Sequence, residues 1–432
     1  MKRIWLLLFV YGVLRGPVIS GQEVVTLKNC YEKAYAASPV SREEGIFSGI
    51  WELKDKNLSR AWLPSLDASG NFIYNSSVVD MGDVIGSLPV PGIADLIRPL
   101  PHEQYKATIE VNQLLYDGGA SKRARELEKT DLEINRKQVE TDLYKLRSQI
   151  NSCYFNLILL DRQKELQQNH QELINKRILT LEAAIANGVA RQSDRDVLVA
   201  EKLKLEQQLL ENRIRSVSLS KILTDLTGIS IGDSTRLLLP EGMEKTTGEL
   251  VRPELQLFDL RKKQLDAAMN LLQSKRMPKA FGFATLGYGN PPGNNFFKDE
   301  FAPYYLIGAG IKWNIFDWNK TRDEKQSLVL QHNLLNSRKE DLAGQLNRLL
   351  EGKSAEIATL ESLIATDKQL IEVRKGITLV AESQLGNGMI TATEYLNELN
   401  AERQAIISHE LHKINLALAK VEYLNICGQE IE

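Results

Sequence analysis

The sequence predicts a mixed α and β chain that is mostly α-helical and built from two copies of one structural unit. Three observations predict this fold class. Residue patterns recur at a constant offset, proline is absent from two long tracts, and four short stretches alternate apolar with polar residues. Together they indicate long helices that follow a pair of strands in each copy.

The composition excludes several classes of protein. The 432 residues include 54 Lys+Arg and 56 Asp+Glu, which gives a formal net charge of -2. Nucleic-acid-binding proteins usually carry a basic excess, so no nucleic-acid partner is predicted. The only long apolar run lies at the N-terminus, which excludes a membrane protein made of several transmembrane helices.

The N-terminus is typical of a signal peptide. Lys2 and Arg3 precede the apolar run over 4–10, and the small residues Ser20 and Gly21 follow at a plausible cleavage distance. This order predicts a secretory signal peptide over 1–21. Three widely spaced cysteines form no disulfide framework. Each is predicted to be a buried free thiol: Cys30, Cys153 and Cys427.

An internal duplication organises the rest of the chain. The dipeptide at 63–64 recurs as an apolar-proline pair 214 positions later, at 277–278, and after a loop the offset becomes 200. The pairs at offset 200 are Tyr105 and Tyr305, Asp117 and Asp317, Asn187-Gly188 and Asn387-Gly388, and Gly228 and Gly428. The change in offset falls in the loops at 75–104 and 289–304. We therefore predict a first repeat over 22–228, an equatorial segment over 229–250, and a second repeat over 251–432.

Two proline-free tracts predict the helices. No proline occurs between Pro101 and Pro240 or after Pro303, and a proline inside a helix costs about 3 kcal/mol. Apolar residues from Val139 to Leu160 recur every 3.5 residues on average, which is the period of a coiled coil. The helix predicted from Ser121 to Asn187 would be about 100 Å long. Each Asn-Gly pair predicts a turn, after which a second helix returns to Gly228 or Gly428.

Four strands are predicted, at 66–75, 105–116, 280–289 and 305–316. Their alternation fits either a half-buried soluble sheet or the lipid-facing strands of a barrel. A length of about ten residues suits a tilted transmembrane strand. Aromatic residues near the strand ends resemble the girdles of a membrane interface. These candidate interface residues are Tyr74, Tyr105, Tyr116, Tyr288, Tyr305 and Trp313. Known transmembrane barrels start at eight strands, so a barrel requires either eight strands from two chains or twelve from three.

The order of these elements resembles the TolC-like outer-membrane efflux proteins, the outer membrane factors, over nearly the whole mature chain. The segments that carry the resemblance are the opening helix at 27–40 echoed at 251–255, the entry to the first strand at 61–66, the strand-to-helix exit at 111–119 repeated at 311–317, and the two Asn-Gly turns with Asp194 and Glu394.

This resemblance implies a homotrimer in the outer membrane. Three chains would form a twelve-stranded transmembrane barrel, continued by a coiled-coil α-helical tunnel across the periplasm. The duct would serve an efflux pump or a type I secretion system, and would pass small molecules or proteins outward. Its partners would be a periplasmic adaptor (membrane fusion) protein, an inner-membrane pump of the RND or ABC type, and outer-membrane lipid. The pump would supply the energy, so no catalytic residue is needed.

Two sets of candidate functional residues follow from the duplication. Glu182 and Glu382 precede the turn glycines by six residues and could form a carboxylate ring at a tunnel constriction, as charged rings do in pores. Solvent-exposed glutamates of no special function remain the alternative. The turns themselves are candidate contacts for the adaptor. The tip residues are Asn187, Gly188, Asp194, Asn387, Gly388 and Glu394.

Enzyme and metal interpretations have little support. His409 and His412 lie one residue too close for the HEXXH zinc motif, so a solvated helix face is predicted there. Gly308 and Gly310 have no third glycine for a dinucleotide fingerprint, and are predicted to be small because neighbours crowd a curved strand. No cofactor is expected. The alternative to a channel is a periplasmic coiled-coil interaction protein with a small soluble sheet.

Overall fold

The computed structural model describes residues 24–78, 100–232, 235–240, 249–295 and 298–431. The predicted signal peptide at 1–21 lies outside these residues, as do much of the loop at 75–104 and part of the segment at 229–250. Within the described ranges, no helix combines the length and apolarity that crossing a membrane would require.

Seven α-helices occur in the described residues, and their lengths repeat between the two halves. They are α1 Leu27–Ala37, α2 Glu43–Ser59, α3 Ala120–Ala186, α4 Gln192–Thr227, α5 Pro253–Ser274, α6 Lys320–Gly386 and α7 Ala392–Cys427. Helices α3 and α6 have 67 residues each, and α4 and α7 have 36 each. The helix predicted from Ser121 to Asn187 is α3, and both of its predicted ends lie one residue from the observed ends.

The part of the chain that the structure describes contains six strands in two sheets. The strands are β1 Val24–Val25, β2 Ser65–Tyr74, β3 Glu103–Tyr116, β4 Arg236–Leu237, β5 Lys279–Asn290 and β6 Ala302–Lys312. Strands β1 and β4 pair in parallel, and the other four form one antiparallel sheet in the order β2-β3-β5-β6. The pairing of β3 with β5 joins the hairpin of the first repeat to the hairpin of the second.

The predicted end of the last strand was wrong. The prediction placed this strand at 305–316, whereas β6 covers Ala302–Lys312. The physical reason is the register, because Lys312 pairs with Lys279, the first residue of β5. Residues beyond Lys312 have no partner strand, and an alternating pattern alone does not hold a backbone in a sheet. Trp313 and Phe316 therefore follow the strand rather than belong to it.

The chain divides into two units, which we call the helical unit and the sheet unit. The helical unit comprises Met1–Glu43, Val139–Leu255 and Asp341–Glu432, and the sheet unit comprises Glu44–Gln138 and Gln256–Glu340. Two of the four unit boundaries fall well inside α3 and α6, and the other two fall within the first turn of α2 and of α5.

In the sheet unit, ion pairs connect each shorter helix to the long helix of its own repeat. Arg125 of α3 lies 2.6 Å from Asp55 of α2. In the second repeat, Lys339 of α6 lies 2.7 Å from Asp259 of α5. Each long helix also begins at an aspartate. Asp117 accepts the Ser121 amide at 2.6 Å and Asp317 accepts the Thr321 amide at 3.0 Å, so the same capping interaction occurs twice, 200 positions apart.

The helical unit has its main hydrophobic core where α1 packs against α3, α4 and α7. Tyr154 and Ile150 of α3 are fully buried there, with Leu27 of α1 and Val421 of α7. The Tyr154 hydroxyl donates to the carbonyl oxygens of Leu238 at 2.6 Å and of Val25 at 3.0 Å. These bonds satisfy a buried polar atom and hold the short β1–β4 sheet against the long helix.

Candidate functional site

The four-stranded sheet has one face without charged or amide side chains in its three central rows, which we call the apolar face. The rows, each crossing β2, β3, β5 and β6, are Gly70-Ala107-Tyr288-Pro303, Ala68-Ile109-Leu286-Tyr305 and Leu66-Val111-Ala284-Ile307. These side chains do not pack into a core, since Leu66 is 72% exposed and Ile307 is 77% exposed. Three exposed apolar rows in succession need an apolar partner or an apolar solvent.

The opposite side of the sheet, which we call the mixed face, combines polar, charged, glycine and aromatic residues. Its β2–β3 part contains Asp67, Ser69, Asn71, Lys106, Thr108, Glu110 and Asn112, and its β5–β6 part contains Lys279, Phe281, Phe283, Thr285, Gly287, Tyr304, Leu306, Gly308, Gly310 and Lys312. The Ser69 and Thr108 hydroxyls form a cross-strand hydrogen bond of 2.8 Å.

A β-bulge puts Tyr116 on the apolar face. In a regular strand, Tyr105 and Tyr116 would point to opposite faces because they are eleven residues apart. The ladder shifts between Leu114 and Tyr116, so that Leu114 pairs with Phe281 and Tyr116 pairs with Ala280. The extra residue, Leu115, reverses the alternation beyond it. Tyr105 and Tyr116 therefore lie on the same face near opposite ends of β3.

Aromatic residues cluster at both ends of the sheet. At the end where the loops at 75–104 and 289–304 emerge, the Tyr105 ring lies 4.9 Å from Phe72 and 5.8 Å from Phe301, and Tyr288 lies 6.0 Å from Phe301. Tyr74 stacks on His102 at 6.1 Å. At the helix end, the Trp313 indole donates to the Arg276 carbonyl at 3.0 Å. Tyr305 is 78% exposed, three residues from the start of β6.

Both edges of this sheet are open in the described residues, because β2 pairs only with β3 and β6 pairs only with β5. An open, apolar edge strand is a site for pairing with another chain. Successive strands of the sheet run in opposite directions, so the two edge strands β2 and β6 are antiparallel to each other. Strand β6 of one chain can therefore pair with β2 of another chain in the same antiparallel manner.

The two predicted tips are turns of the same geometry. Gly188 and Gly388 have φ of +75° and +74°, in the left-handed region where glycine is favoured. The amides of Gly188 and Gly388 donate to the carbonyls of Ile185 and Leu385, at 2.9 and 3.0 Å. Each preceding asparagine donates its side-chain amide to the carbonyl four residues earlier, at 2.9 Å in both turns. The predicted Asn-Gly turns occur where the sequence placed them.

The tips differ in how the following helix begins. Helix α7 has a full capping box, in which the Thr391 hydroxyl accepts the Glu394 amide at 3.2 Å and the Glu394 carboxylate accepts the Thr391 amide at 2.8 Å. These bonds lower the pKa of Glu394. Helix α4 begins after Arg191, whose side chain makes no capping bond. The Thr-x-x-Glu pattern of a capping box is visible in the sequence, although it was not among the predicted features.

Asp194 links the two tips. Its carboxylate accepts the backbone amide of Ala392, in the first turn of α7, at 3.3 Å. The residue thus helps to cap a helix of the other repeat, 198 positions away in the chain. Behind the turns, all four long helices share a core that includes Ile174, Leu198, Ala381 and Tyr395.

Both candidate constriction glutamates have arginine partners. The Glu182 carboxylate lies 2.9 Å from the Arg195 guanidinium, and Glu382 forms an ion pair with Arg177. The Arg177 guanidinium also lies 5.7 Å from the centre of the Tyr395 ring. The sequence did not reveal these arginines because they come from different helices. The carboxylate ring stays a prediction, and each carboxylate in it has a cation beside it.

The histidine pair does not form the predicted solvated face. The imidazole of His412 lies 2.6 Å from the Asp367 carboxylate, and that of His409 lies 3.8 Å from it. All three side chains are less than a quarter exposed. In the described ranges, no cluster of three or more histidine, cysteine or carboxylate side chains could hold a metal ion. The three cysteines are free and buried, as predicted.

Comparison with known proteins identifies the fold. No family model matches the sequence, and no curated protein sequence matches it. Solved structures do match. CusC, from a study of folding and transmembrane channel formation, has a TM-score of 0.70 and 10% identity, over 94% of this chain and 92% of CusC.

Two further solved structures match over a similar extent. VceC, an outer membrane protein of Vibrio cholerae, has a TM-score of 0.65 and 16% identity, over 94% of this chain and 97% of VceC. The open-state MtrE outer membrane channel of Neisseria gonorrhoeae has a TM-score of 0.68 and 14% identity, over 94% and 89% of the two chains. The chain therefore has the fold of these outer membrane channel proteins, at only 10–16% sequence identity.

Proposed function

We propose that this chain is one subunit of a homotrimeric outer-membrane export channel. The observation that carries the proposal is the apolar face of the sheet, which extends over four strands that are open at both edges. The fold supports it, because VceC and MtrE, which share this fold, are an outer membrane protein and an outer membrane channel.

The distance between the two tyrosines on this side of the sheet suits a bilayer. Eleven residues separate Tyr105 from Tyr116, which is about 36 Å along the strand at roughly 3.3 Å per residue. A transmembrane strand is tilted by about 35–45°, so its height across the membrane would be about 26–30 Å. The apolar band of an outer-membrane barrel is about 25 Å tall and has aromatic girdles at both interfaces. The two tyrosines would lie in these girdles, and the mixed face would line the lumen.

Unpaired surfaces support assembly of several copies. Four strands cannot close a barrel, but β6 of one chain can pair with β2 of the next, and three chains would provide twelve strands. The helices also expose apolar residues at coiled-coil spacing. These are Leu203, Leu210, Ile214 and Val217 on α4, and Leu363, Leu370, Val373, Ile377 and Val380 on α6. In a trimer, α4 of one subunit would pack against α6 of its neighbour.

The tips are the proposed contact for a periplasmic adaptor, which would couple the channel to an inner-membrane pump. Val189 and Met389 follow the turn glycines and are 80% and 66% exposed. The carboxylates of Asp194 and Glu394 follow five residues further along the chain. Exposed apolar side chains next to carboxylates would suit a helical partner with apolar and basic residues.

A pair of neighbouring residues tests the channel against the soluble alternative. Ile307 lies on the apolar face and Leu306 lies on the mixed face, and both are exposed in the single chain. Lysine on a lipid-facing strand costs about 2–4 kcal/mol near the bilayer centre. Ile307→Lys should therefore prevent recovery of a heat-modifiable trimer from the outer membrane, whereas Leu306→Lys should not. Equal recovery of both variants, or release of the wild type by osmotic shock, would favour a periplasmic interaction protein.

Crosslinking tests the tips. Charge reversal at Asp194 or Glu394 should weaken crosslinking to an adaptor, because both carboxylates lie at the turns. Glu172 is an exposed α3 residue on the body of the helix, and Glu172→Lys is the matched control. If all three variants crosslink as the wild type does, the adaptor binds elsewhere.

A further inference from the structure

The mixed face of the β5–β6 hairpin has three aromatic rings, each lying over a glycine of the partner strand. A Cβ placed on Gly308 would lie 2.5 Å from Cζ of Phe283, and one placed on Gly310 would lie 2.6 Å from Cζ of Phe281. Gly287 is covered by Tyr304 in the same way, at 2.3 Å. A side chain at any of these glycines would displace the ring above it, so the glycines keep the rings close to the strand backbone.

The two phenylalanines form a continuous aromatic surface. The ring centroids of Phe281 and Phe283 are 6.4 Å apart, with an interplanar angle of 32°. Phe281 keeps 37% of its surface exposed even though it covers Gly310. Lumen-facing positions of outer-membrane barrels are usually polar, so an aromatic surface on this face calls for a reason.

Two lysines lie beside this surface. Lys279 and Lys312 are directly opposite each other, and the next pair along the same face is Phe281 with Gly310. Like charges in opposite positions of a sheet destabilise it. Neither ammonium has an ion-pair partner in the part of the chain that the structure describes. An anion between the two lysines would reduce their repulsion.

We propose that Phe281, Phe283, Lys279 and Lys312 form a contact site for small aromatic carboxylates that pass through the lumen. The inference rests on the proposed channel, in which the mixed face lines the pore. The solute ring would stack on the phenylalanines, and its carboxylate would meet the two ammonium groups. An aromatic anion satisfies both halves of the site, whereas an aliphatic anion satisfies only the lysines.

Ion permeation through the purified full-length protein in planar bilayers tests this site. The probes are benzoate and cyclohexanecarboxylate, which have the same charge and similar size and differ in aromaticity. We expect the wild type to prefer benzoate by about threefold or more, the range that aromatic pairs provide. Phe281→Leu with Phe283→Leu keeps apolar volume over the glycines and should bring the ratio close to one. Lys279→Gln with Lys312→Gln should lower the permeability of both anions.

The controls separate the site from the channel. Thr108→Ala changes the mixed face of the first hairpin and should leave the benzoate preference unaltered. Equal permeability of the two anions in the wild type would overturn the proposed site, and so would a benzoate preference that persists in the double leucine variant. Neither result would contradict the channel, provided that the protein conducts KCl. If the double leucine variant does not assemble, the single variant Lys312→Gln tests the site instead, because Lys312 is exposed. Unchanged permeability of both carboxylates in that variant would overturn the proposed site. A wild-type protein that conducts no KCl contradicts the channel itself.

Discussion

The two hairpins of the sheet unit show what duplication preserved and what it did not. Hairpins β2–β3 and β5–β6 contribute to the same apolar face with the same alternation, and they end in aromatic residues at the same places. Their other faces differ. The first hairpin has hydroxyls, amides and an acidic pair, Asp67 opposite Glu110, whereas the second has rings over glycines and a basic pair, Lys279 opposite Lys312.

In the proposed channel the two faces meet different solvents, lipid on the apolar face and water on the mixed face, and these solvents constrain side chains unequally. A lipid-facing side chain must be apolar whatever the rest of the protein does. A lumen-facing side chain must only be compatible with water and free of steric clashes with its neighbours. The mixed faces of the two hairpins can therefore differ. Substitutions at equivalent places in the two repeats therefore test which features are general and which belong to one repeat.

The largest expected effect is at the glycines beneath the aromatic rings. Gly308→Val should lower the free energy of unfolding by about 3 kcal/mol, because the new side chain would overlap the Phe283 ring. The control in the first hairpin is Gly70→Val, on the apolar face, where no atom lies within 4 Å of an added Cβ. Urea unfolding of detergent-solubilised protein measures both. Similar losses would mean that the rings do not depend on the glycines.

A pH effect should distinguish His170 of α3 from Leu370, its equivalent in α6. Burial, with the nearby Arg403 guanidinium, lowers the pKa of His170 to about 4, whereas in the unfolded chain the pKa is about 6.5. Below pH 6.5 the unfolded chain binds a proton that the folded chain does not bind until about pH 4. Stability should therefore fall by about 2 kcal/mol between pH 7 and 5. His170→Leu should remove this loss from thermal unfolding curves, and a loss that persists would implicate another group.

A smaller effect is expected at the helix starts beside the tips. Thr391→Ala removes the capping box of α7 and should cost about 1 kcal/mol. Arg191→Ala changes the equivalent residue of α4, which makes no capping bond, and should leave the unfolding midpoint unchanged. Equal shifts in the two variants would show that the first repeat has a cap of comparable strength.

The smallest effect on stability, below about 1 kcal/mol, is expected for the exposed ion pairs near the tips. If Glu382 faces a constriction, Glu382→Gln leaves the Arg177 charge unbalanced and should shift selectivity towards anions. Arg177→Gln should shift it towards cations. The Glu182 and Arg195 pair allows the same comparison in the first repeat. Reversal potentials measure each shift, and identical selectivity in all variants would place these pairs away from the pore.

Sequence patterns predicted the elements that depend on local chemistry. Proline exclusion marked the two tracts that contain the long helices, and the repeated Asn-Gly pairs located the tips. Crowding at Gly308 and Gly310 was also predicted, and the Phe283 and Phe281 rings confirm it. The helices and turns depend on residue properties within one segment of the chain. The crowding was predicted from the small size of the two glycines alone.

Features that depend on register or on packing between helices could not be predicted. The end of β6 is set by where β5 begins, and the bulge at Leu115 is invisible in a pattern that continues to alternate. The ion pair of Glu382 with Arg177 joins two helices, so its residues are 205 positions apart in the sequence. Similarly, His409 and His412 look solvated until α6 brings Asp367 beside them.

The pairing of β3 with β5 bears on how the proposed twelve-stranded ring of three chains would assemble. This pairing joins the two hairpins of one chain side by side in antiparallel fashion. The proposed contact of β6 with β2 would join the hairpins of neighbouring chains in the same way. A half-length ancestor with one hairpin would need six copies to supply twelve strands. Duplication makes alternate junctions covalent, which raises the effective concentration of each hairpin for its neighbour. Closure of the proposed twelve-stranded ring would then need three chains rather than six, and should be far less sensitive to dilution.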